Sequence, residues 1–126
     1  MKVIITITES ALPIARTIQR EWLDAEVVRM SDKTFLTEHW KELECVVFVG
    51  AMGICVRTIA PLLNDKYTDP AVICVDSTGK YVIPVVSGHI GGANDYSKRI
   101  AAILGGEAII TTQSDNLGLW AIDTFA

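Results

Sequence analysis

Val82-Ile83-Pro84-Val85-Val86-Ser87-Gly88-His89-Ile90-Gly91-Gly92-Ala93-Asn94 is an apolar run of strand type that halts in a glycine-rich turn and passes into a helical pattern. Strand, turn and helix in that order are the unit from which layered α/β domains are built. A turn of this kind leaves backbone N–H groups uncovered at a helix N-terminus, where they attract anions. His89 lies inside the turn, and imidazole is the side chain suited to moving protons near neutral pH. The stretch therefore reads as an anion cradle holding a proton carrier.

Strand and helix patterns alternate on either side of it. Residues 3–8 predict a strand, after which Glu9 and Ser10 open a helix with Pro13 in its first turn, where a missing N–H costs little. Leu12, Ala15, Ile18 and Leu23 form its apolar face, with Arg16, Gln19 and Arg20 outward. Residues 26–30 predict a second strand, 31–43 a polar connection with a short helix over 35–40, and 45–49 a third strand apolar enough to be central. Gly50-Ala51-Met52-Gly53 leads into a helix over about 54–63, with Pro61 in or just past its last turn. Residues 71–75 and 81–86 flank Asp76-Ser77-Thr78-Gly79-Lys80, too short for a crossover helix, so a hairpin and one antiparallel strand are expected. Residues 93–104 predict a helix stopped by Gly105-Gly106, 108–111 a last strand, and 116–126 the start of another helix.

This order predicts one domain over 1–126, a three-layer Rossmann-like open α/β sheet, mostly parallel, with one β-hairpin. Right-handed crossovers are expected to carry the strand-to-helix loops to the carboxyl edge of the sheet. Three loops would meet there: Gly50 to Gly53 with Arg57, Ser87 to Asn94, and Thr111-Thr112-Gln113-Ser114-Asp115.

Composition bounds the function. The 126 residues are 50% hydrophobic with a mean hydropathy of +0.35, which fits strands covered on both faces. A net charge of -4 and a pI near 5.0 argue against general nucleic-acid binding, so an anionic ligand must be held by a few local cations and amides. No apolar stretch reaches membrane-spanning length, and Met1-Lys2 runs into 3–7 without a signal-type h-region, so a cytoplasmic location is expected. Cys45, Cys55 and Cys74 are odd in number and form no Cys-x-x-Cys pair. Cys45 and Cys74 lie in apolar runs and read as core, and no metal-ligand spacing is present.

Several residues carry two readings. Gly50 and Gly53 either make a tight turn with close helix packing or touch a ligand. Arg57, one turn after Gly53 on an apolar helix, calls for a carboxylate from the protein or from a ligand. Lys66 and Asp69 are a solvated loop pair or site residues. His89 caps a turn or moves protons, with Asn94 beside it; Ser87 is too close to it in sequence for standard triad geometry to be assumed. Ser114 or Asp115 is an N-cap for the last helix or part of the site, and His39 beside Trp40 reads as an inert surface residue.

Four segments together resemble the cobalamin biosynthesis family CbiG, in its N-terminal part: Gly50-Ala51-Met52-Gly53-Ile54-Cys55-Val56-Arg57, Lys66-Tyr67-Thr68-Asp69-Pro70-Ala71-Val72, Ser87-Gly88-His89-Ile90-Gly91-Gly92-Ala93-Asn94 and Thr111-Thr112-Gln113-Ser114-Asp115. The resemblance implies cobalt-precorrin-5A hydrolase activity in the anaerobic B12 pathway: opening of the ring-A δ-lactone and release of a two-carbon fragment as acetaldehyde, giving cobalt-precorrin-5B. It implies no cofactor beyond the substrate's own cobalt. Typical members continue into a linker and a C-terminal α/β domain, so this chain is expected to be the N-terminal domain of a longer protein. That missing domain and the macrocycle are the expected partners, with a homodimer left open. The chemistry would place catalysis on His89 as base, Asn94 or the Gly91 and Gly92 amides at the oxyanion, and Asp115 orienting His89 or water. Gly50, Gly53, Arg57, Lys66, Ser87, Gly88, Thr111 and Thr112 would bind the carboxylate-ringed substrate. A non-catalytic corrinoid-binding domain and a phosphate- or nucleotide-binding module are the alternatives; a missing phosphate-loop lysine counts against the second.

Overall fold

A computed structural model describes residues 1–31 and 34–112. In it β1 (Lys2–Thr6), β2 (Ala25–Arg29), β3 (Cys45–Val49), β4 (Ala71–Val75), β5 (Tyr81–Val86) and β6 (Glu107–Ala108) form one sheet in the order β2-β1-β3-β4-β5-β6. The first four strands are parallel, in a register that sets Val47 between Ile4 and Ile73. β5 turns back antiparallel to β4, and β6 is parallel to β5. The hairpin thus reverses two strands, where the sequence pattern suggested one. Pro84 is tolerated in β5 because β6 pairs only with Tyr81 and Val82, leaving no second neighbour to demand its absent N–H.

Helices α1 (Leu12–Glu21), α2 (Phe35–His39), α3 (Met52–Ile59) and α4 (Ala93–Leu104) cover the sheet. β3 shows why two layers are needed: all five of its residues are buried, and their side chains alternate between faces. Cys45, Val47 and Val49 pack with Ala15 and Ile18 of α1 and with Ile100 of α4. Val46 and Phe48 pack with Leu36 of α2 and with Cys55 and Ile59 of α3. Each fully buried Val, Ile or Phe contributes about 1.5–3 kcal/mol of transfer free energy. Reversal of β5 also explains the return of α4 to the face of α1. A right-handed crossover that continues outward from a reversed strand must pass over the opposite face.

Local differences have simple causes. α1 ends at Glu21, and Trp22 leaves helical geometry at φ -118°, so Trp22 goes inward and Leu23 is left 87% exposed. α3 starts at Met52, two residues before the expected position, because Ala51 already has the extended backbone of an N-cap. It gives way to a 3-10 turn over Ala60–Leu62 that accommodates Pro61. α4 closes on Gly105 at φ +68°, as the paired glycines predict. β6 is shorter than expected and begins one residue earlier, although Ile109 N–H still reaches the Val82 carbonyl at 2.9 Å. The final helix expected over 116–126 lies outside the described residues.

Candidate functional site

Because β5 runs against β1–β4, its last residue Val86 stands beside Val72, near the amino end of β4. The turn over 87–94 therefore sits at the amino edge of the parallel strands. Gly50, which donates its N–H to the Val75 carbonyl at 2.8 Å, sits at the carboxyl edge. The expected meeting of three loops at one edge does not occur. Hairpin reversal carries the 87–94 turn, and with it residues 109–112 after β6, to the other end of the sheet. Asp115, with Gln113 and Ser114, lies outside the described residues.

At the carboxyl edge, Gly50 has a packing role. Its φ is +149°, and a Cβ there would lie 2.6 Å from Ile7 Cδ1. A Cβ on Gly53 would meet nothing within 4 Å outside its own helix backbone. Arg57 was expected to be partly buried against a carboxylate; it is exposed and makes no ion pair among the described residues. The cleft at this edge, about 430 Å³, is lined by Thr6, Thr8, Leu12 and Ser31 among others, and its Arg29 already lies 4.0 Å from Glu9.

The amino edge holds most of the remaining residues in one knot. Ser87 adopts φ +58°, a left-handed conformation that costs a non-glycine residue free energy and is held here by its surroundings. Its carbonyl accepts from Ala93 N–H and that of Gly88 from Asn94 N–H, both at 3.1 Å, so the turn caps its own helix. Those two amides are thereby committed. The N–H groups of Gly91 and Gly92 take no partner among the described residues, and both glycines are half-buried at the mouth of the turn. Gly91 is confined, since a Cβ would lie 2.7 Å from Ser87 Cβ and 3.2 Å from Ala71 N.

Asn94 is 3% exposed, and its side-chain amide donates to Thr112 Oγ1 at 2.8 Å, which ties the turn to the chain leaving β6. Gly88 lets this pair close, because a Cβ on it would lie 3.0 Å from Asn94 Oδ1. Ser87 Oγ donates to the Asp69 carbonyl at 3.5 Å, which brings the 64–70 loop to the same edge. Asp69 does not pair with Lys66. Its carboxylate accepts from Trp40 Nε1 at 3.1 Å and Asn64 N–H at 2.8 Å, while Lys66 is exposed beside the Tyr67 ring. His89 and Thr111 are exposed at this edge. His39, half-buried, contacts Glu42 at 3.2 Å and the Phe35 ring, in keeping with a local role.

A cleft of about 560 Å³ opens beside the turn, lined by Ile90, Gly91, Gly92, Asp95, Tyr96, Lys98 and Arg99. Asp95, Tyr96, Lys98 and Arg99 carry no motif and were not singled out from the sequence. The available signal was their spacing, since residues three and four apart share a helix face. Burial raises the Tyr96 phenol above its ordinary value, and its ring stands edge-on to Trp22 at 5.4 Å.

The cysteines are buried and free. Burial pushes the Cys45 thiol up to about 12, and the neighbouring Cys74 together with burial raises Cys55. Among the described residues no group of three or more His, Cys, Asp or Glu side chains is arranged to hold a metal ion.

Residues 34–115, which span both the Gly50 turn and the amino-edge knot, match the family model described as Cobalamin synthesis G N-terminal. The chain belongs to this family. It is 48% identical over 81 residues to the cobalt-precorrin-5A hydrolase of Salmonella typhimurium, covering 64% of this chain and 23% of the relative. It is 34% identical over 140 aligned positions to the cobalt-precorrin-5A hydrolase of Priestia megaterium, covering 97% and 37%. A solved structure, that of a cobalamin biosynthesis protein G homologue from Sulfolobus solfataricus, superposes with a TM-score of 0.78 at 32% identity, over 92% of this chain and 38% of that one. The α/β fold is thus that of the family, and the chain spans 23% and 37% of the two named hydrolases. Among the described residues no helix is long and apolar enough to cross a membrane.

Proposed function

We propose that this domain forms part of a cobalt-precorrin-5A hydrolase of cobalamin biosynthesis, with the reaction at the amino edge of the sheet. Water adds to the lactone carbonyl, the ring oxygen leaves, and a two-carbon fragment departs as acetaldehyde to give cobalt-precorrin-5B. The observation that carries this reading is the family match, which encloses a turn whose Gly91 and Gly92 amides take no partner among the described residues. Paired N–H donors of this kind stabilise the oxyanion that forms when water attacks a carbonyl. His89, exposed between them and Gly88, takes the proton from water. Asn94 is a positioning residue, because its buried amide is engaged with Thr112 and fixes the turn. Asp115 orients His89 or water. The exposed Lys66 supplies a cation at the same edge for substrate carboxylates, and Ser87, Gly88, Thr111 and Thr112 shape the floor. The reaction so written needs no cofactor beyond the cobalt that the substrate carries.

A second reading is favoured by the relatives' greater length: this domain grips the corrinoid while the rest of a longer protein does the chemistry. Both are tested by incubating the 126-residue chain with cobalt-precorrin-5A and measuring acetaldehyde by coupled reduction. Release above the no-protein rate supports catalysis here. Binding of the macrocycle without release favours the second reading, and no binding at all overturns both.

A further inference from the structure

Lys98 and Arg99 are exposed on the first two turns of α4 and line the cleft beside the Gly91 and Gly92 amides. Neither makes an ion pair among the described residues, although Asp95 shares the cleft. Two cations against one carboxylate give this cleft a local positive balance in a chain whose net charge is -4. Its apolar lining is Ile90, which is 55% exposed, and the half-buried ring of Tyr96. An apolar wall beside two cations and a single carboxylate suits a flat hydrophobic ligand that carries peripheral acids. It does not suit a small inorganic ion, which would gain nothing from the wall.

We infer that this cleft seats a peripheral carboxylate of the macrocycle, with Lys98 and Arg99 as its cations and Ile90 and Tyr96 against the ring edge. The inference rests on the proposed function and adds a substrate-anchoring subsite to it. A guanidinium and an ammonium differ in this role. Arg99 can engage both carboxylate oxygens at once, and Lys98 acts as a point charge.

The test is equilibrium binding of two probes to the 126-residue chain: a cobalt corrin with its peripheral acids free, and the same ring with those acids amidated. The wild-type chain is expected to bind the free-acid ring more tightly, with a preference that weakens as salt is added. K98Q/R99Q, which keeps long polar side chains on an exposed helix face, should weaken binding of the free-acid ring about tenfold or more and leave the amidated ring unchanged. R16Q/R20Q, which removes two exposed cations from α1, should retain the full preference. If K98Q/R99Q binds the free-acid ring as tightly as wild type, the subsite is refuted while the proposed function stands. If the wild-type chain binds neither ring, both fail.

Discussion

Gly53→Ala and Gly91→Ala are one chemical change made in two turns that look alike in sequence, and the structure gives them opposite signs. At Gly91 a Cβ would lie 2.7 Å from Ser87 Cβ, 3.1 Å from Ser87 O and 3.2 Å from Ala71 N. Two of those three atoms are backbone and cannot rotate away, so the start of β4 or the left-handed Ser87 must shift. Overpacking of this kind costs about 1–3 kcal/mol. At Gly53 an added Cβ would meet nothing within 4 Å outside the helix's own backbone, and the residue is inside α3 with no positive φ. Alanine there removes unfolded-state freedom and favours the helix by about 0.5–1 kcal/mol. Urea unfolding followed by far-UV circular dichroism reads both. With a slope of about 2 kcal/mol per molar, the midpoint should rise by a few tenths molar for Gly53→Ala and fall by about 0.5–1.5 M for Gly91→Ala. Midpoints that move in the same direction, or an unchanged midpoint for Gly91→Ala, would refute the packing argument.

His89→Ala should lower acetaldehyde release by roughly a hundredfold or more in a preparation that shows it, with near-wild-type turnover removing the base assignment. Asn94→Ala and Thr112→Val should each destabilise by about 1–3 kcal/mol, and the double variant by less than their sum, because each breaks the same half-buried hydrogen bond; full additivity in chemical denaturation would show that the pair is uncoupled. Burial opposes ionisation of Asp76, yet hydrogen bonds from the Thr78 hydroxyl and the Tyr81, Thr78 and Lys80 amides hold its carboxyl below the ordinary 3.8. Its folded value is depressed, so its contribution is complete above the unfolded value and lost as pH falls from there through the folded one. The stability gap between wild type and Asp76→Asn should therefore narrow in acid, measured as urea midpoints between pH 6 and pH 2. Cys45, Cys55 and Cys74 should resist alkylation at pH 8 in the folded chain and react in urea, since all three are buried away from the reagent; rapid labelling of the native protein would contradict their burial.

The elements most legible in the sequence are those whose apolar runs end at strong punctuation. β3, β4, β5 and α4 fall where the pattern places them, because Gly50, Asp76, Ser87 and Gly105 interrupt the backbone at their ends. Trp22 and Leu23 show the limit of periodicity. Either residue extends the apolar face of α1, and the choice is made by where the helix unwinds and by the Tyr96 ring waiting on α4. The turn over 87–94 is legible as a site by its chemistry, and its place follows from the hairpin that the short Asp76 turn predicts. A reversed strand delivers its outgoing loop to the opposite edge, so the meeting of three loops at one edge is incompatible with the antiparallel strand expected from the same residues. The short turn at Asp76 reverses β5, and this non-local consequence separates the Gly50 turn from His89. Lys98 and Arg99 stay hidden for another reason: exposed cations on a helix are common, and only the cleft beside them distinguishes this pair.

The hairpin also shapes how such a molecule can change over time. In a sheet whose strands all point one way, the variable loops crowd a single rim, and lengthening one disturbs the next. Here β5, and residues 109–112 after β6, lead out at the far rim, so the two sets are separated by the full length of a strand. Substitutions or insertions after β1 and β3 leave the rim that carries His89 undisturbed, and each end of the domain is free to diversify on its own.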